Sequence, residues 1–254
     1  MLNGERVFVT GGNRRLGLII ATALGGAGGK IAITYRGDKS RAADALSRIP
    51  NKPKAIHANL DQPNSLEQAV IDAENALGGP IDILVNNASA FEYDTIATVT
   101  ADNLALHLQV GLIAPVLLTR YVTQHKNRNK SGLILNVLDY KLLNPFPDFL
   151  SYSLAKFGLE GFTRLAARDL APNWRVCGVA PGYTLKAPEQ APEHFADTRD
   201  QVPLQRGPRP EDIAEAVIYL ANAPAVTGQT IFVDGGASMM AQEGDFSIEI
   251  SSDT

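Results

Sequence analysis

Short apolar, β-branched runs alternate with longer segments of helical periodicity along the chain. The runs are RVFVT (6–10), IAITY (31–35), KAIHA (54–58), IDILVNN (81–87), LILNV (133–137), VCGVA (176–180) and TIFVD (230–234). Helical spacing fills 15–24, 40–49, 65–77, 101–124, 152–170 and 210–220 between them. The runs are apolar almost throughout, without polar alternation, so both faces of the sheet they form must be covered. The pattern predicts an α/β fold: a single doubly wound Rossmann-like domain, a seven-stranded parallel sheet flanked by helices on both faces. Asp212 and Glu215 fall in the first turns of the last helix, where negative charge suits its dipole. Two stretches break the pattern. A Pro-rich segment at 181–210 reads as a loop over a site, with its substrate-facing part at about 183–208. The polar tail QEGDFSIEISSDT reads as frayed or packed on a neighbouring subunit. The domain is therefore assigned to 1–240 and the tail to 241–254.

Composition narrows the class. With 254 residues, 45% hydrophobic and 20% charged, the chain has the makeup of an ordinary globular protein. A net charge of -4 argues against nucleic acid or an anionic membrane surface as partner. Cys177 is the one cysteine, and the four histidines show no ligand spacing, so neither a disulfide framework nor a metal site is expected. The N-terminus carries no long apolar run before its first strand, and a cytoplasmic location is expected.

The candidate chemistry begins at VTGGNRRLG (9–17), directly after the first strand and opening the first helix. Glycines there let the backbone turn tightly and approach a pyrophosphate resting on the helix N-terminus. The spacing resembles the T-G-x-x-x-G-x-G turn of short-chain dehydrogenases/reductases, with Arg15 at the usual middle glycine. NNAS (86–89), Tyr152-x-x-x-Lys156, APG (180–182) and TGQTIFVDGG (227–236) follow in that family's order over nearly the whole chain. At the end of the second strand an acidic residue would favour a ribose hydroxyl and a basic one a 2′-phosphate. TYRGDKS puts Tyr35 at that position with Arg36 next, and Arg14 projects toward the same region. Two guanidiniums can clamp a phosphate, so NADPH is the expected cofactor. Asp38 lies past the strand end and is not the discriminator. The resemblance also assigns cofactor contacts to Gly11, Leu16, Asn59, Leu60, Asn87, Ala88, Ser89, Pro181, Gly182, Thr184 and Leu185, besides Arg14, Arg15 and Arg36. Asn59 stands where aspartate is usual, and Lys186 where a threonine is usual.

Tyr152 and Lys156 are four apart on a helix and share a face. A nearby ammonium stabilises phenolate, so Lys156 is expected to lower the Tyr152 pKa toward the working range of a general acid. The family's usual serine, about thirteen residues before the tyrosine, is Asp139. An ionised carboxylate accepts hydrogen bonds only and would repel a developing alkoxide, so carbonyl reduction is disfavoured unless Asp139 is protonated; an aspartate here suits a substrate whose reduced atom needs a proton. Within the family, the pteridine and dihydromonapterin reductases are similar at these points, carrying T-G-x-x-x-R-L-G, Asn-Ala-Ser with an aromatic two residues on, and the aspartate. The resemblance implies NADPH-dependent reduction of a C=N bond in a pterin-like substrate by Asp139, Tyr152 and Lys156. Ser89, Phe91, Asp139, Tyr152 and Tyr183 would contact the substrate, with Phe91 stacking on it. It also implies a homotetramer built through the helices at 101–124 and 152–170. Gly111 replaces the family's relay asparagine, and His194 and Phe195 are further candidate contacts in the loop. Two other readings stay open: a carbonyl reductase of another small substrate with Asp139 protonated, and a non-catalytic NADPH-binding regulator.

Overall fold

The computed structural model describes residues 1–125, 131–186 and 199–240. His194, Phe195, part of the 183–208 loop and the whole C-terminal tail lie outside the described residues. The seven strands are β1 (Arg6–Val9), β2 (Lys30–Tyr35), β3 (Lys54–His57), β4 (Ile83–Asn86), β5 (Gly132–Val137), β6 (Trp174–Pro181) and β7 (Thr230–Val233). All pairs are parallel, in the order β3-β2-β1-β4-β5-β6-β7. Chain order reverses between β1 and β4, and the crevice outside the carboxyl ends of strands at such a switch point is where open α/β sheets bind ligands.

Among the described residues the principal α-helices are α1 (Arg15–Gly26), α2 (Lys39–Arg48), α3 (Leu66–Leu77), α4 (Ala101–Leu108), α5 (Ala114–His125), α6 (Leu150–Asp169) and α7 (Pro210–Ala221). One apolar layer packs α1 and α7 against the sheet through Ile20, Leu24, Ile33, Val85, Leu135 and Val217. The opposite layer packs α3 and α5 through Phe8, Leu66, Leu84, Leu118, Ile134 and Trp174. Cys177 is fully buried in β6, and burial pushes its thiol up, as suits an inert core residue.

The structure departs from the predicted elements at one informative place. The helix expected over 101–124 is interrupted by a π-helical turn, Gln109–Ile113, centred on Gly111. Its neighbour explains the glycine: a Cβ at Gly111 would meet the Ala155 Cβ at 3.0 Å, so this turn lies tightly against α6. Ala101–Gln124 is also long and apolar enough to cross a membrane by length and composition, with a mean hydropathy of 1.4. Here its inner side covers the sheet.

The turn after β1 depends on two glycines. Gly11 has φ +62, which few side chains adopt, and its N–H donates to Thr34 Oγ1 at 2.8 Å. A Cβ on Gly17 would overlap the Gly11 carbonyl oxygen and Asn87 Nδ2. Gly17→Ala is therefore expected to lower the Tm by several degrees. The forced overlap costs about 1–3 kcal/mol, and each kcal/mol shifts the Tm by roughly 2–4 °C at this chain length. Thermal melting by circular dichroism checks this; an unchanged Tm would mean the turn yields without cost.

Candidate active site

Every candidate residue that the structure describes lies in the segments leaving the carboxyl ends of the strands or at the first turns of α1 and α6. The first of these segments is stitched together through Thr10, which is buried at the end of β1. Its Oγ1 accepts the N–H groups of Asn87 at 2.9 Å and Ala88 at 3.0 Å. Asn87 returns a bond from Nδ2 to the Thr10 carbonyl at 2.9 Å. The glycine turn and the Asn87-Ala88-Ser89 strand end are thereby one rigid unit. Ser89 is exposed, and its hydroxyl donates to the Ala90 carbonyl at 2.8 Å.

Arg15 occupies the family's glycine position at φ 49, in the left-handed region where glycine is favoured. Its guanidinium crosses to the segment after β6 and donates to the Lys186 carbonyl at 2.7 Å. That contact joins the glycine turn to the 181–186 segment, where Thr184 is buried and donates to the Gly182 carbonyl at 3.0 Å. Leu16, in the first turn of α1, packs on the core, and Leu60 is buried. Asn59 Oδ1 is buried without a hydrogen-bond partner, an acceptor left open where an adenine amino group is expected. Arg36 is two-thirds exposed and faces Asp61 at 3.5 Å, a loose pair that an incoming phosphate can exchange for itself. Arg14 is exposed at the start of α1. Asp38 caps α2 by accepting the Ser40 N–H at 2.7 Å, consistent with a structural role.

At the other end of the crevice the structure brings Asp139, Tyr152 and Lys156 together. The Tyr152 hydroxyl donates to Asp139 Oδ2 at 2.7 Å, and the Lys141 N–H donates to Asp139 Oδ1 at 2.9 Å. Lys156 Nζ donates to the Val137 carbonyl at 2.6 Å and lies 5.4 Å from the Tyr152 ring centroid. Tyr152 and Lys156 are buried and Asp139 half-buried. A chain of buried amides holds this corner: Asn86 Nδ2 donates to Asn136 Oδ1 at 2.8 Å, and Asn136 Nδ2 to Thr163 Oγ1 at 2.8 Å, tying β4 and β5 to α6.

These contacts reverse one electrostatic expectation. The Tyr152 pKa was expected to fall beside Lys156; it is raised well above the ordinary phenol value. Burial is the main cause, followed by the Asp139 charge and the hydrogen bond to it, while the ammonium is turned to the Val137 carbonyl. Asp139 is likewise raised: loss of water outweighs the Lys141 N–H, the Tyr152 hydroxyl and the Lys156 charge. Burial lowers Lys156 to about 8, and Asp139 pulls it partly back up.

Phe91 is not a core residue: it is 46% exposed, its ring stacked on Phe149 at 4.3 Å and edge-on to Tyr152 at 4.9 Å. Tyr183 accepts a 2.7 Å hydrogen bond from the buried Tyr140, the residue after Asp139. Sequence reasoning missed the group that carries the Phe91 loop. Asp94 is buried and takes Ser151 N–H at 3.0 Å, the Ser151 hydroxyl, and Asn103 Nδ2 at 3.0 Å. Burial pushes the Asp94 carboxyl up, but the Ser151 bonds outweigh it and leave the pKa lowered. Buried His107 links the same loop, accepting the Glu92 N–H at 3.2 Å, with Nδ1 2.8 Å from the Asn103 carbonyl. Only the polar residues at the loop and helix starts hinted at it, and the pairing is not readable from spacing.

Titration of Lys156 by NMR in cofactor-free protein should show a midpoint near 8, ammonium below and amine above. In Asp139→Ala the midpoint should fall further, because the carboxylate that favours the ammonium is gone. A midpoint close to the ordinary lysine value of about 10.4 would contradict the buried placement.

Comparison with known proteins agrees with this architecture. The family model described as Enoyl-(Acyl carrier protein) reductase matches residues 12–238. The chain is 32% identical over 250 residues to a 3-oxoacyl-[acyl-carrier-protein] reductase of Synechocystis sp., covering 94% of this chain and 98% of that one. The FolM alternative dihydrofolate reductase 1 of Brucella suis, solved in complex with NADP, superposes with a TM-score of 0.91 at 32% identity, covering 96% and 99% of the two chains. Its counterpart from Brucella canis, also complexed with NADP, gives 0.92 at 32% identity over 97% and 99%. With the glycine turn, the parallel seven-stranded sheet and the Tyr152–Lys156 pair all in the same order, the chain belongs to the short-chain dehydrogenase/reductase family.

Proposed function

We propose that this protein reduces a C=N bond of a pterin-type substrate, a dihydropterin, dihydromonapterin or dihydrofolate, using NADPH. It is an NADPH-dependent oxidoreductase of the short-chain family. The observation that carries the pterin assignment is the Tyr152–Asp139 hydrogen bond of 2.7 Å, where the usual serine would be a neutral donor. The residues present fit a dinucleotide: the glycine turn closes without room for a Cβ at Gly17, and Asn59 Oδ1 waits unpartnered.

Gly11, Arg14, Arg15 and Leu16 would take the pyrophosphate side, with Arg36 at the 2′-phosphate and Asn59 with Leu60 at the adenine. Asn87, Ala88 and Ser89, together with Pro181, Gly182, Thr184 and Leu185, would line the nicotinamide half. When bound, NADPH supplies the hydride. The chain supplies the proton. Tyr152, its pKa raised, stays protonated at neutral pH, and its proton would pass to the substrate nitrogen only as hydride transfer makes that nitrogen strongly basic. Asp139 Oδ2, which accepts the Tyr152 hydroxyl, would return to Tyr152 a proton taken up from solvent between turnovers. Lys156 stays charged below about pH 8 and would hold the nicotinamide ribose. Ser89, Phe91 and Tyr183 would frame the substrate, Phe91 as the stacking face.

A second reading has its own support. The Synechocystis relative is named a 3-oxoacyl-[acyl-carrier-protein] reductase, which points to a carbonyl substrate. Against it stands the replacement of the usual serine by Asp139, which repels a developing alkoxide when ionised and donates to a carbonyl only when protonated. For assembly we propose a homotetramer. Ile113, Leu154, Phe157 and Leu165, between 41% and 71% exposed, lie on the elements expected to form its interface.

An NADPH-oxidation assay with dihydropterins, dihydrofolate, a 3-oxoacyl thioester and simple ketones decides between the readings. Turnover of a dihydropterin is expected; turnover of the thioester or ketones with none on any pterin would overturn the proposal. Tyr152→Phe should cut the rate by about 10²–10⁴-fold while NADPH binding, measured by fluorescence titration, persists. Arg36→Ala should weaken NADPH, and not NADH, by on the order of 1–3 kcal/mol. Equal affinity of the wild type for the two cofactors would remove the assigned phosphate contact.

A further inference from the structure

We propose that Phe149 is a positioning residue for substrate specificity: its ring backs Phe91 and sets the plane against which a flat heteroaromatic is laid. This rests on the pterin reading above and extends it to a residue outside the family motifs.

Phe149 immediately precedes α6, the helix that carries Tyr152 and Lys156. Its backbone sits at φ 52 and ψ 48, the left-handed region, where a bulky aromatic is a genuine outlier. Glycine or asparagine would be the economical choice, and the N-cap position normally goes to a small polar side chain. Phe149 makes no side-chain cap bond. That duty has moved to Asp94, whose carbonyl accepts the Leu150 N–H at 3.2 Å and whose carboxylate accepts the Ser151 N–H at 3.0 Å. The helix start therefore gives no reason for a phenylalanine, and the strained backbone persists only because the surroundings hold it.

What holds it is contact to the ring. Phe91 stacks on it with centroids 4.3 Å apart and an interplanar angle of 18°. Tyr93 meets it edge-on at 5.3 Å. Lys141 Nζ lies 5.1 Å over the ring and is itself fixed by Asp148 at 2.6 Å. Phe91 is thus set between two neighbours: Phe149 along its face, and Tyr152 at 85° and 4.9 Å. Phe91 and Tyr93 nevertheless remain 46% and 60% exposed, so the group forms a surface and not a core. Nearly parallel stacking on one side with exposure elsewhere is the arrangement that presents a flat face to a flat ligand.

The test compares wild type, Phe149→Gly, Phe149→Leu and Phe149→Tyr, measuring dihydropterin KM and kcat at saturating NADPH, folic acid affinity and Tm. Glycine removes the ring but suits the backbone, so its Tm should hold or rise, while the dihydropterin KM and the folic acid Kd rise at least five-fold and kcat moves less. Leucine, which keeps apolar bulk without a flat ring, should raise KM in the same direction. Tyrosine should restore wild-type values. A KM and Kd within two-fold of wild type in both Gly and Leu variants would overturn the role of Phe149 alone. So would a Leu variant matching wild type if the Gly variant does not fold. A wild type that neither reduces dihydropterins nor binds folic acid would overturn the pterin reading and this inference with it.

Discussion

The hydrogen bond from Tyr152 to Asp139 is the contact on which the rest of the site depends. Two acids share one short O–H···O bond, both with pKa values raised by loss of water, beside a lysine whose pKa is lowered to about 8 by the same cause. Such a pair cannot easily become doubly ionised, since each charge disfavours the other. It places a shared proton at the end of β5, between the phenol and the carboxyl. The fold supplies the constraint: Asp139 leaves the end of β5 with its carboxylate pinned by the Lys141 N–H, while α6 brings Tyr152 from the other side.

Strained backbone and close packing occur at both ends of the crevice. Arg15 and Phe149 both adopt left-handed backbone conformations, one in the glycine turn and one at the start of α6. The π turn at Gln109–Ile113 lets Gly111 lie against Ala155 on the next helix over. Local deviations of this kind cost stability and survive where the surroundings fix them, which is characteristic of functional sites. The regular parts of the sheet, by contrast, carry no such cost.

The alternation of apolar runs with helical spacing made the sheet, its parallel sense and its helices legible, because both period and polarity are local properties of the chain. The glycine turn, Tyr152, Lys156 and Asp139 were legible for the same reason: each lies in a short, ordered motif. The Asp94–Ser151 pairing was not, because it joins positions 57 apart that no periodicity relates. Phe149 was hidden differently, as an ordinary apolar residue whose meaning lies in a backbone angle. The direction of the Tyr152 shift was misread since proximity to lysine was judged by spacing alone. In the folded chain the ammonium bonds the Val137 carbonyl and the carboxylate reaches the phenol first.

The most direct test of the account is kcat/KM for a dihydropterin and for an activated ketone, measured from pH 5 to 8 in wild type, Asp139→Asn and Asp139→Ser. The amide keeps the shape of Asp139 but has no titratable proton, so pterin reduction should be lost in Asp139→Asn. Serine donates to a carbonyl at any of these pH values, so Asp139→Ser should depress pterin reduction and retain or gain activity on the ketone. Wild-type rates on the pterin in Asp139→Asn would contradict the proton-supplying role of the Tyr152–Asp139 pair.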